Sequence, residues 1–235
     1  KGSQLNKFGG SSFADAICYL RVAGIMKEYS QAGDMMVVSA AGSTTNQLIS
    51  WLKLSQSDRL AAHQVQQSLR RYQTELIGGL VEPAAADTLI AAFLHDLERL
   101  AGLLDGGVTE AVYAEVVGHG EVWSARLMAA VLNQLGMEAA WLDARAFLRA
   151  ERAAQPQVDE GLSYPLLQQL MAQHPNKRLV VTGFISRNQA GETVLLGRNG
   201  SDYSATQIGA LAGASRVTIW SDVAGVYSAD PRKVK

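Results

Sequence analysis

A lysine beside two glycines near the amino terminus is the first arrangement in this sequence that could do chemistry. In Lys7-Phe8-Gly9-Gly10-Ser11-Ser12, a predicted strand passes into a predicted helix. Glycine amides can approach an oxyanion closely because no Cβ intervenes, and the positive end of a helix dipole adds to the attraction of the lysine. The segment predicts a phosphate site at Lys7, Gly9, Gly10 and Ser11. An ordinary turn with a solvated lysine is the alternative, because glycine-rich turns are common.

Three further segments combine small residues with polar or charged ones. Ser39-Ala-Ala-Gly-Ser-Thr-Thr-Asn46 leaves an apolar run and enters a helix, so it binds a polar ligand or is a capped turn. Gly118-His119-Gly120-Glu121 places a carboxylate beside two glycines, as a surface residue or as a ligand for a cation. Gly197-Arg198-Asn199-Gly200-Ser201-Asp202 predicts a second anion site with its own arginine, unless it is a solvated loop in which Asp202 caps the next helix.

A last polar segment follows the apolar run that ends at Trp220. Residues 221–232, Ser-Asp-Val-Ala-Gly-Val-Tyr-Ser-Ala-Asp-Pro-Arg, hold an aromatic ring, two acids and an arginine. A nucleotide could stack and pair there, although Asp230-Pro231 is equally consistent with plain turn chemistry. No Walker A sequence occurs, and the glycine pair 118 and 120 lacks the third glycine of a dinucleotide fingerprint. The histidines do not cluster with cysteine at metal-ligand spacing, so no protein metal site is predicted.

The composition is that of a globular protein with a sizeable core. The 235 residues are 48% hydrophobic and 18% charged, with a formal net charge of −1. The absence of basic runs argues against a nucleic-acid surface, and no apolar run reaches the length of a membrane span. The single cysteine, Cys18, cannot form an internal disulfide and fits a reducing compartment. We therefore expect a cytoplasmic protein without a nucleic-acid or membrane partner.

The elements that must position these residues are those of an α/β fold. Residues 35–39, 179–182 and 216–220 are apolar runs without polar alternation, as in strands of a parallel sheet covered on both faces. Residues 5–8 and 139–142 are further candidate strands. Ligands of such sheets collect outside the carboxyl ends of the strands, where the small and polar segments lie. Between residues 45 and 135 the pattern predicts a helical lobe inserted in the α/β body.

Two local predictions concern how the elements begin and pair. Ser12 and Asp15 have the spacing of a capping box that opens the first helix. Its predicted apolar stripe comprises Ala16, Ile17, Leu20, Ala23 and Ile25. Residues 193–196 are predicted to form a hairpin with residues 180–185 across the turn residues 188–191.

Five of these segments, in this order, resemble the motifs of aspartokinases in the amino acid kinase superfamily. They are residues 7–12, 39–46, the pair Gly120-Glu121, 197–202 and 220–232. Asn199 replaces a glycine of the family pattern, and Ser221 and Ala224 also depart from it. The resemblance runs from Leu5 to Arg232, and five motifs in order are far more specific than each alone.

The resemblance implies a mostly parallel central sheet sandwiched by helices, with an inserted helical lobe. It also implies transfer of the γ-phosphoryl group of ATP, with Mg²⁺, to the side-chain carboxylate of L-aspartate. The implied catalytic residues are Lys7 and Asp202. The implied aspartate-binding residues are Ser39, Thr45, Glu121, Phe184, Arg198 and Ser201, and the implied nucleotide-binding residues are Ser221, Asp222, Tyr227, Asp230 and Arg232.

The wider sequence resembles the kinase portion of bifunctional aspartokinase/homoserine dehydrogenases. This implies that residues 1–235 are a catalytic domain that is incomplete at its carboxyl end, without its regulatory and dehydrogenase domains, and that the protein is a homo-oligomer. Two alternatives remain open. Another kinase of the superfamily would share the sheet and the glycine loops, and a catalytically incomplete fragment could act as a ligand-binding or oligomerisation module.

Overall fold

The computed structural model describes residues 2–197 and 199–221. Its centre is a five-stranded parallel sheet in the order β3-β4-β2-β1-β7. A separate antiparallel hairpin consists of β5 and β6. The strands are β1 Gln4–Phe8, β2 Met35–Val38, β3 Ala139–Leu142, β4 Arg178–Thr182, β5 Ile185–Arg187, β6 Thr193–Leu195 and β7 Arg216–Trp220. The α/β fold class with a mostly parallel sheet is thus confirmed.

Eight α-helices flank the sheet in the described part of the chain. They are α1 Ala16–Tyr29, α2 Thr44–Ser55, α3 Arg59–Leu80, α4 Pro83–Asp105, α5 Glu110–Val117, α6 His119–Gln134, α7 Glu160–Ala172 and α8 Gly200–Ala212. Pro83 stands at the first turn of α4, where its missing N–H costs nothing. The side chains of Asp58 and Thr109 cap α3 and α5. None of the described helices has the length and apolarity needed to cross a membrane.

The strands β2 and β4 lack polar alternation because both of their faces are buried. The edge strand β7 was also predicted to be covered on both faces, but its Val217 and Ile219 are 38% and 45% exposed. Leu5, Val37 and Val181 belong to one hydrophobic core, whereas Met36 and Val180, next to them in sequence, belong to the other. Neighbouring residues of a strand point to opposite faces, so a strand between two cores must be apolar throughout. This packing explains why the apolar runs identified β2 and β4 correctly.

The helical segment between β2 and β3 contains α2 to α6. Its helices α2, α3 and α4 pack against one another, whereas α6 packs directly on β3 and β4. Helix α6 therefore links this segment to the sheet. Leu69, Phe93 and Leu100, predicted as core residues, are at most 1% exposed.

Two local predictions were wrong. The predicted capping box at Ser12 is absent, because residues 10–13 form a single 3₁₀ turn and α1 begins later, at Ala16. Its cap is Asp15, whose side chain accepts a hydrogen bond of 2.9 Å from the backbone N–H of Cys18. Ile17 and Leu20 of the predicted apolar stripe are 61% and 48% exposed, because α1 buries the face that carries Tyr19, Val22, Ala23 and Met26.

The predicted hairpin is present, with its turn at residues 188–191, but its first arm begins later than predicted. The arm β6 pairs with β5, with Ile185 opposite Leu195, and not with residues 180–182. Residues 178–182 instead pair with β2 and β3 in the main sheet. Gly183 and Phe184 separate β4 from β5, and Phe184 adopts the left-handed region with φ 71°. This break ends the sheet strand and allows the chain to start a second, smaller sheet.

Candidate active site

Three helices begin at the carboxyl edge of the sheet and enclose a polar cavity of about 300 Å³. They are α2, α6 and α8, whose first turns contain Thr45, Glu121 and Asp202 respectively. Each helix N-terminus carries a partial positive charge and unpaired N–H groups, so their convergence favours an anionic ligand. The cavity is lined by Lys7, Gly10, Ser39, Thr45, Glu121, Phe184, Gly197, Asn199, Gly200, Ser201 and Asp202.

Among the described residues, Lys7 on β1 supplies the positive charge of the cavity. Its Nζ lies 2.6 Å from Oδ1 of Asp202 on α8, with side-chain exposures of 10% and 45%. A Cβ added at Gly9 would lie 3.4 Å from this Nζ, whereas one added at Gly10 would contact nothing within 4 Å. The lysine therefore lies over the glycine pair, and the backbone at Gly10 is open to a ligand. This arrangement can hold a phosphate group.

Glu121 is the buried acidic group of the cavity, whereas the other acidic residue, Asp202, is paired with Lys7. Glu121 is 4% exposed, and its Oε2 has no hydrogen-bond partner among the described residues. Burial raises the pKa of Glu121 to about 8, although the backbone N–H groups of Glu121 and Ala40 act in the opposite direction. Such a carboxyl group is poised to accept a cationic ligand group, because an ammonium ion would compensate its lost hydration.

The backbone around Glu121 is held by close packing. A Cβ added at Gly120 would lie 2.7 Å from the Cβ of Ala40 and 3.1 Å from Cγ2 of Thr44. Only glycine permits this approach of α6 to the segment that follows β2. Thr44 is itself fixed, because its Oγ1 accepts a hydrogen bond of 2.9 Å from Nε2 of the buried Gln73.

Hydroxyl groups from two elements meet at the floor of the cavity. Oγ of Ser39 donates to the backbone oxygen of Phe8 at 3.3 Å and lies 3.3 Å from Oγ of Ser201. The backbone N–H of Phe184 donates to Oγ of Ser204 at 3.0 Å, which ties the end of β4 to α8. These contacts place hydroxyl groups and an aromatic ring around a small polar ligand.

The structure brings together most of the predicted site residues. Lys7, Gly10, Ser39, Thr45, Glu121, Phe184, Ser201 and Asp202 line one cavity. Gly9 adjoins Lys7 without lining the cavity, and Ser11 is exposed on the 3₁₀ turn outside it. Ser221 is exposed at the carboxyl end of β7. Arg198, Asp222, Tyr227, Asp230 and Arg232 lie outside the described residues.

Two features in or behind this site were not predicted from the sequence. Asn199 lines the cavity and precedes α8 in a left-handed conformation with φ 60°, which asparagine tolerates better than most residues. A buried charge cluster behind α6, which includes Asp96 and Glu115, was also missed. The sequence does contain a sign of buried polar contacts. Gln73 and Asp96 are polar, yet they stand at positions where the helical periodicity predicts buried apolar residues.

A larger cavity of about 440 Å³ lies between α5 and β6, away from the carboxyl edge of the sheet. Its charged residues Glu110 and Arg152 lie 3.6 Å from each other, and Arg152 also pairs with Glu192 at 2.9 Å. The charges of this cavity are thus paired with each other, whereas the cavity at the carboxyl edge has a buried carboxyl oxygen without a partner.

Comparison with known proteins places this geometry in a family. Residues 4–235 match the model of the amino acid kinase family. The chain is 83% identical over 235 residues to bifunctional aspartokinase/homoserine dehydrogenase 2 of Escherichia coli K12, covering all of this chain and 29% of that protein. It is 32% identical to lysine-sensitive aspartokinase 3 of the same strain, covering 98% of this chain and 51% of that protein. The chain therefore spans less than a third of the length of the first relative and about half of the length of the second.

A solved structure shares the architecture. The crystal structure of E. coli aspartokinase III in complex with aspartate and ADP has a TM-score of 0.84 and 29% sequence identity, covering 98% of this chain and 51% of that one. The family model covers nearly the whole chain, and the three converging helix N-termini stand at the sheet edge where ligands of such folds bind. The chain therefore belongs to the amino acid kinase family.

Proposed function

We propose that this chain transfers the γ-phosphoryl group of ATP to the side-chain carboxylate of L-aspartate. The observation that carries the proposal is the cavity itself, in which a lysine beside two glycines and a buried, unpartnered carboxyl group line the same 300 Å³ space. The first arrangement suits phosphate, and the second suits the ammonium group of an amino acid. The relatives supply the substrate class, because they are named as aspartokinases and one is solved with aspartate and ADP.

The reaction needs no general base. The side-chain carboxylate of aspartate has an ordinary pKa near 3.9 and is already ionised at neutral pH. One of its oxygens attacks the γ-phosphorus, an O–P bond forms, and the bond to the leaving ADP oxygen breaks. The obstacle is the repulsion between a carboxylate and a triphosphate, which calls for positive charge and oriented N–H groups. Lys7 and the backbone at Gly10 would supply them, and Asp202 would hold the lysine in place.

The residues present fit the nucleotide at its phosphate end. The open backbone at Gly10 and the Nζ of Lys7 can receive phosphate oxygens. Mg²⁺ would be held mainly by the phosphates of the nucleotide and would neutralise their charge during transfer. The proposed contacts to the remainder of the nucleotide are Ser221, Asp222, Tyr227, Asp230 and Arg232.

On the substrate side, Glu121 would receive the ammonium group and Arg198 the α-carboxylate. A planar guanidinium binds a carboxylate through two parallel hydrogen bonds, which a lysine cannot do. Ser39, Thr45, Phe184 and Ser201 would shape the pocket around the four-carbon substrate.

The test is an ATP-dependent assay in which hydroxylamine traps the acyl phosphate. We expect product with L-aspartate and little with acetylglutamate, glutamate or carbamate. Product with one of these acids and none with aspartate would identify another kinase of the family. Calorimetric binding of aspartate without any turnover would instead support a ligand-binding module. The formation of a homo-oligomer also remains a proposal, which sedimentation would test.

A further inference from the structure

The face of α6 that points away from Glu121 is held by a buried cluster of charged and polar side chains. The cluster consists of Asp96 and Arg99 on α4, Glu115 on α5, and His119, Trp123 and Arg126 on α6. Asp96, His119 and Trp123 are its buried members, and the side chain of Arg99 at its edge is 41% exposed. None of these six residues lines the 300 Å³ cavity. The cluster therefore has no direct contact with a ligand there, and its role must be sought in what it does to α6.

Asp96 is the member that joins α4 to α6. It is 6% exposed, and its Oδ2 accepts hydrogen bonds from Nε1 of Trp123 at 3.1 Å and from Nη1 of Arg126 at 2.6 Å. The guanidinium of Arg126 also lies over the ring of Trp141 on β3, 5.0 Å from its centroid. One carboxylate thus connects α6 to α4 and, through Arg126, to the sheet.

His119, the first residue of α6, anchors the beginning of this helix through both of its ring nitrogens. These contacts also define which nitrogen of the ring carries the proton. Its Nε2 lies 2.9 Å from Nη2 of Arg99, and an arginine can only donate, so Nε2 accepts. Its Nδ1 therefore carries the proton and donates to the backbone oxygen of Glu115 at 2.9 Å. The burial that lowers the pKa of His119 also favours this neutral form.

The rotation of α6 follows from these contacts. His119 and Trp123 are four residues apart and lie on the same side of the helix, whereas Glu121 lies about 200° around it from His119. Anchoring both residues on one side leaves α6 a single orientation, in which Glu121 lines the cavity on the other side. We propose that Asp96 is a positioning residue that sets the rotation of α6 and thereby places the Glu121 carboxyl group for the substrate ammonium group.

This inference rests on the function proposed above, and it concerns the amino acid side of the cavity and not the nucleotide side. Lys7 and Asp202 lie on β1 and α8, which have no bond to the cluster in the described part of the chain. Loss of Asp96 should therefore disturb binding of the amino acid and leave the nucleotide side unchanged. A displacement of about 1 Å at a reacting group can cost on the order of 100-fold in rate. For a smaller tilt of α6 we expect an increase of about tenfold in KM for aspartate.

Two variants and a matched control test the claim in the purified protein. Asp96→Asn removes the charge from the hydrogen bond to Arg126 and keeps the size of the side chain. Trp123→Phe removes the N–H donor and keeps an aromatic ring against Phe93, whose centroid lies 4.7 Å from that of Trp123. Glu98→Gln is the control, because Glu98 is an exposed acid on the same helix α4. KM for aspartate, KM for ATP and kcat are measured for each, with the melting temperature as a check of folding.

The decisive readout is the coupling between Asp96 and Glu121. If Asp96 acts through Glu121, the increase in KM for aspartate caused by Asp96→Asn should disappear in a Glu121→Gln background. A merely structural role would instead add its effect to that of Glu121→Gln. The expected result is a raised KM for aspartate, an unchanged KM for ATP, and this non-additivity.

Each other outcome has a definite meaning. Equal changes in both KM values, additive effects in the double variant, or Asp96→Asn kinetics equal to those of Glu98→Gln would overturn the inference. If Asp96→Asn does not fold, the same coupling measured with Trp123→Phe decides. Absence of aspartate turnover in the unsubstituted protein would count against the proposed function instead, so the two failures can be distinguished.

Discussion

Binding of the amino acid substrate should release a proton from Glu121, and this release should be lost in Glu121→Gln. The carboxyl group is buried and its Oε2 has no partner among the described residues. Two titratable groups in its surroundings, Tyr19 and Lys7, do not compensate its charge. Tyr19 on α1 is neutral, with its OH 2.7 Å from Oγ of Ser124 and its pKa raised by burial, and Lys7 is paired with Asp202.

The magnitude follows from the two pKa values. Burial raises the pKa of Glu121 from 4.5 to about 8, and each pH unit between these values is worth about 1.4 kcal/mol. Ionising the group in the folded protein without a partner therefore costs about 5 kcal/mol. At pH 7 roughly nine in ten molecules hold the proton. A bound ammonium group reverses the balance, so we expect about 0.9 protons released per aspartate.

The assay is titration calorimetry with aspartate at pH 7 in two buffers of different ionisation enthalpy, from which the number of released protons is obtained. Affinity should rise by up to about tenfold per pH unit between pH 6 and pH 8, because only the ionised carboxylate pairs with the ammonium group. In Glu121→Gln, binding should be weaker by about 10-fold to 100-fold, without proton release and nearly independent of pH. Glu98→Gln, which changes an exposed acid, should behave like the unsubstituted protein.

The same titration has a signature in stability. Between pH 4.5 and pH 8 the folded state binds more protons at Glu121 than the unfolded state, so the free energy of unfolding falls as pH rises through this window. His119 acts in the opposite sense below its ordinary pKa of 6.5, because burial lowers its pKa. The window from about 6.5 to about 8 therefore isolates Glu121. Proton release near zero, or a stability difference between Glu121→Gln and the unsubstituted protein that does not change over this window, would refute the reasoning.

The remaining predictions concern the phosphate side, the substrate carboxylate and the packing of α6. Lys7→Ala should lower kcat at least about 100-fold with an unchanged melting temperature, as measured in the hydroxylamine assay. Arg198→Lys should raise KM for aspartate and not for ATP, and the reverse split would move Arg198 to the nucleotide side. Gly120→Ala should lower the free energy of unfolding in urea by about 1 to 3 kcal/mol, because the new Cβ would lie 2.7 Å from that of Ala40. The control Gly24→Ala has open space around it in α1 and should stabilise by up to about 1 kcal/mol.

The sheet strands and the cavity residues could be predicted from the sequence for one physical reason. A parallel strand buried on both faces must be apolar, and the functional residues of such a fold stand directly after it, as Ser39 follows β2 and Phe184 lies just beyond β4. Both features are local in the chain, so no knowledge of distant contacts was needed.

The predictions were wrong where the same short sequence pattern is compatible with two different local structures. Ser12 and Asp15 are both good helix caps, and the choice depends on the 3₁₀ turn that the buried Phe13 stabilises. Residues 180–185 are apolar on both sides of Thr182-Gly183, so they fit one strand or two. Gly183 and the left-handed Phe184 divide the sheet strand β4 from the hairpin strand β5. The buried cluster depends on contacts such as that between Asp96 and Trp123, 27 residues apart, which the periodicity of a helix does not reveal.

The two ends of the cavity differ in their access to water, and this difference suits the two parts of the proposed reaction. The Lys7–Asp202 pair lies at the wetter end, since Asp202 has a side-chain exposure of 45%. Water at this end screens the charges of phosphate groups that enter and leave. Glu121 lies at the dry end, where a lone charge is costly and the carboxyl group ionises only when a cation pairs with it. The position of α6 therefore decides whether that pairing can occur, which is why contacts on its far face, at Asp96, can affect substrate recognition.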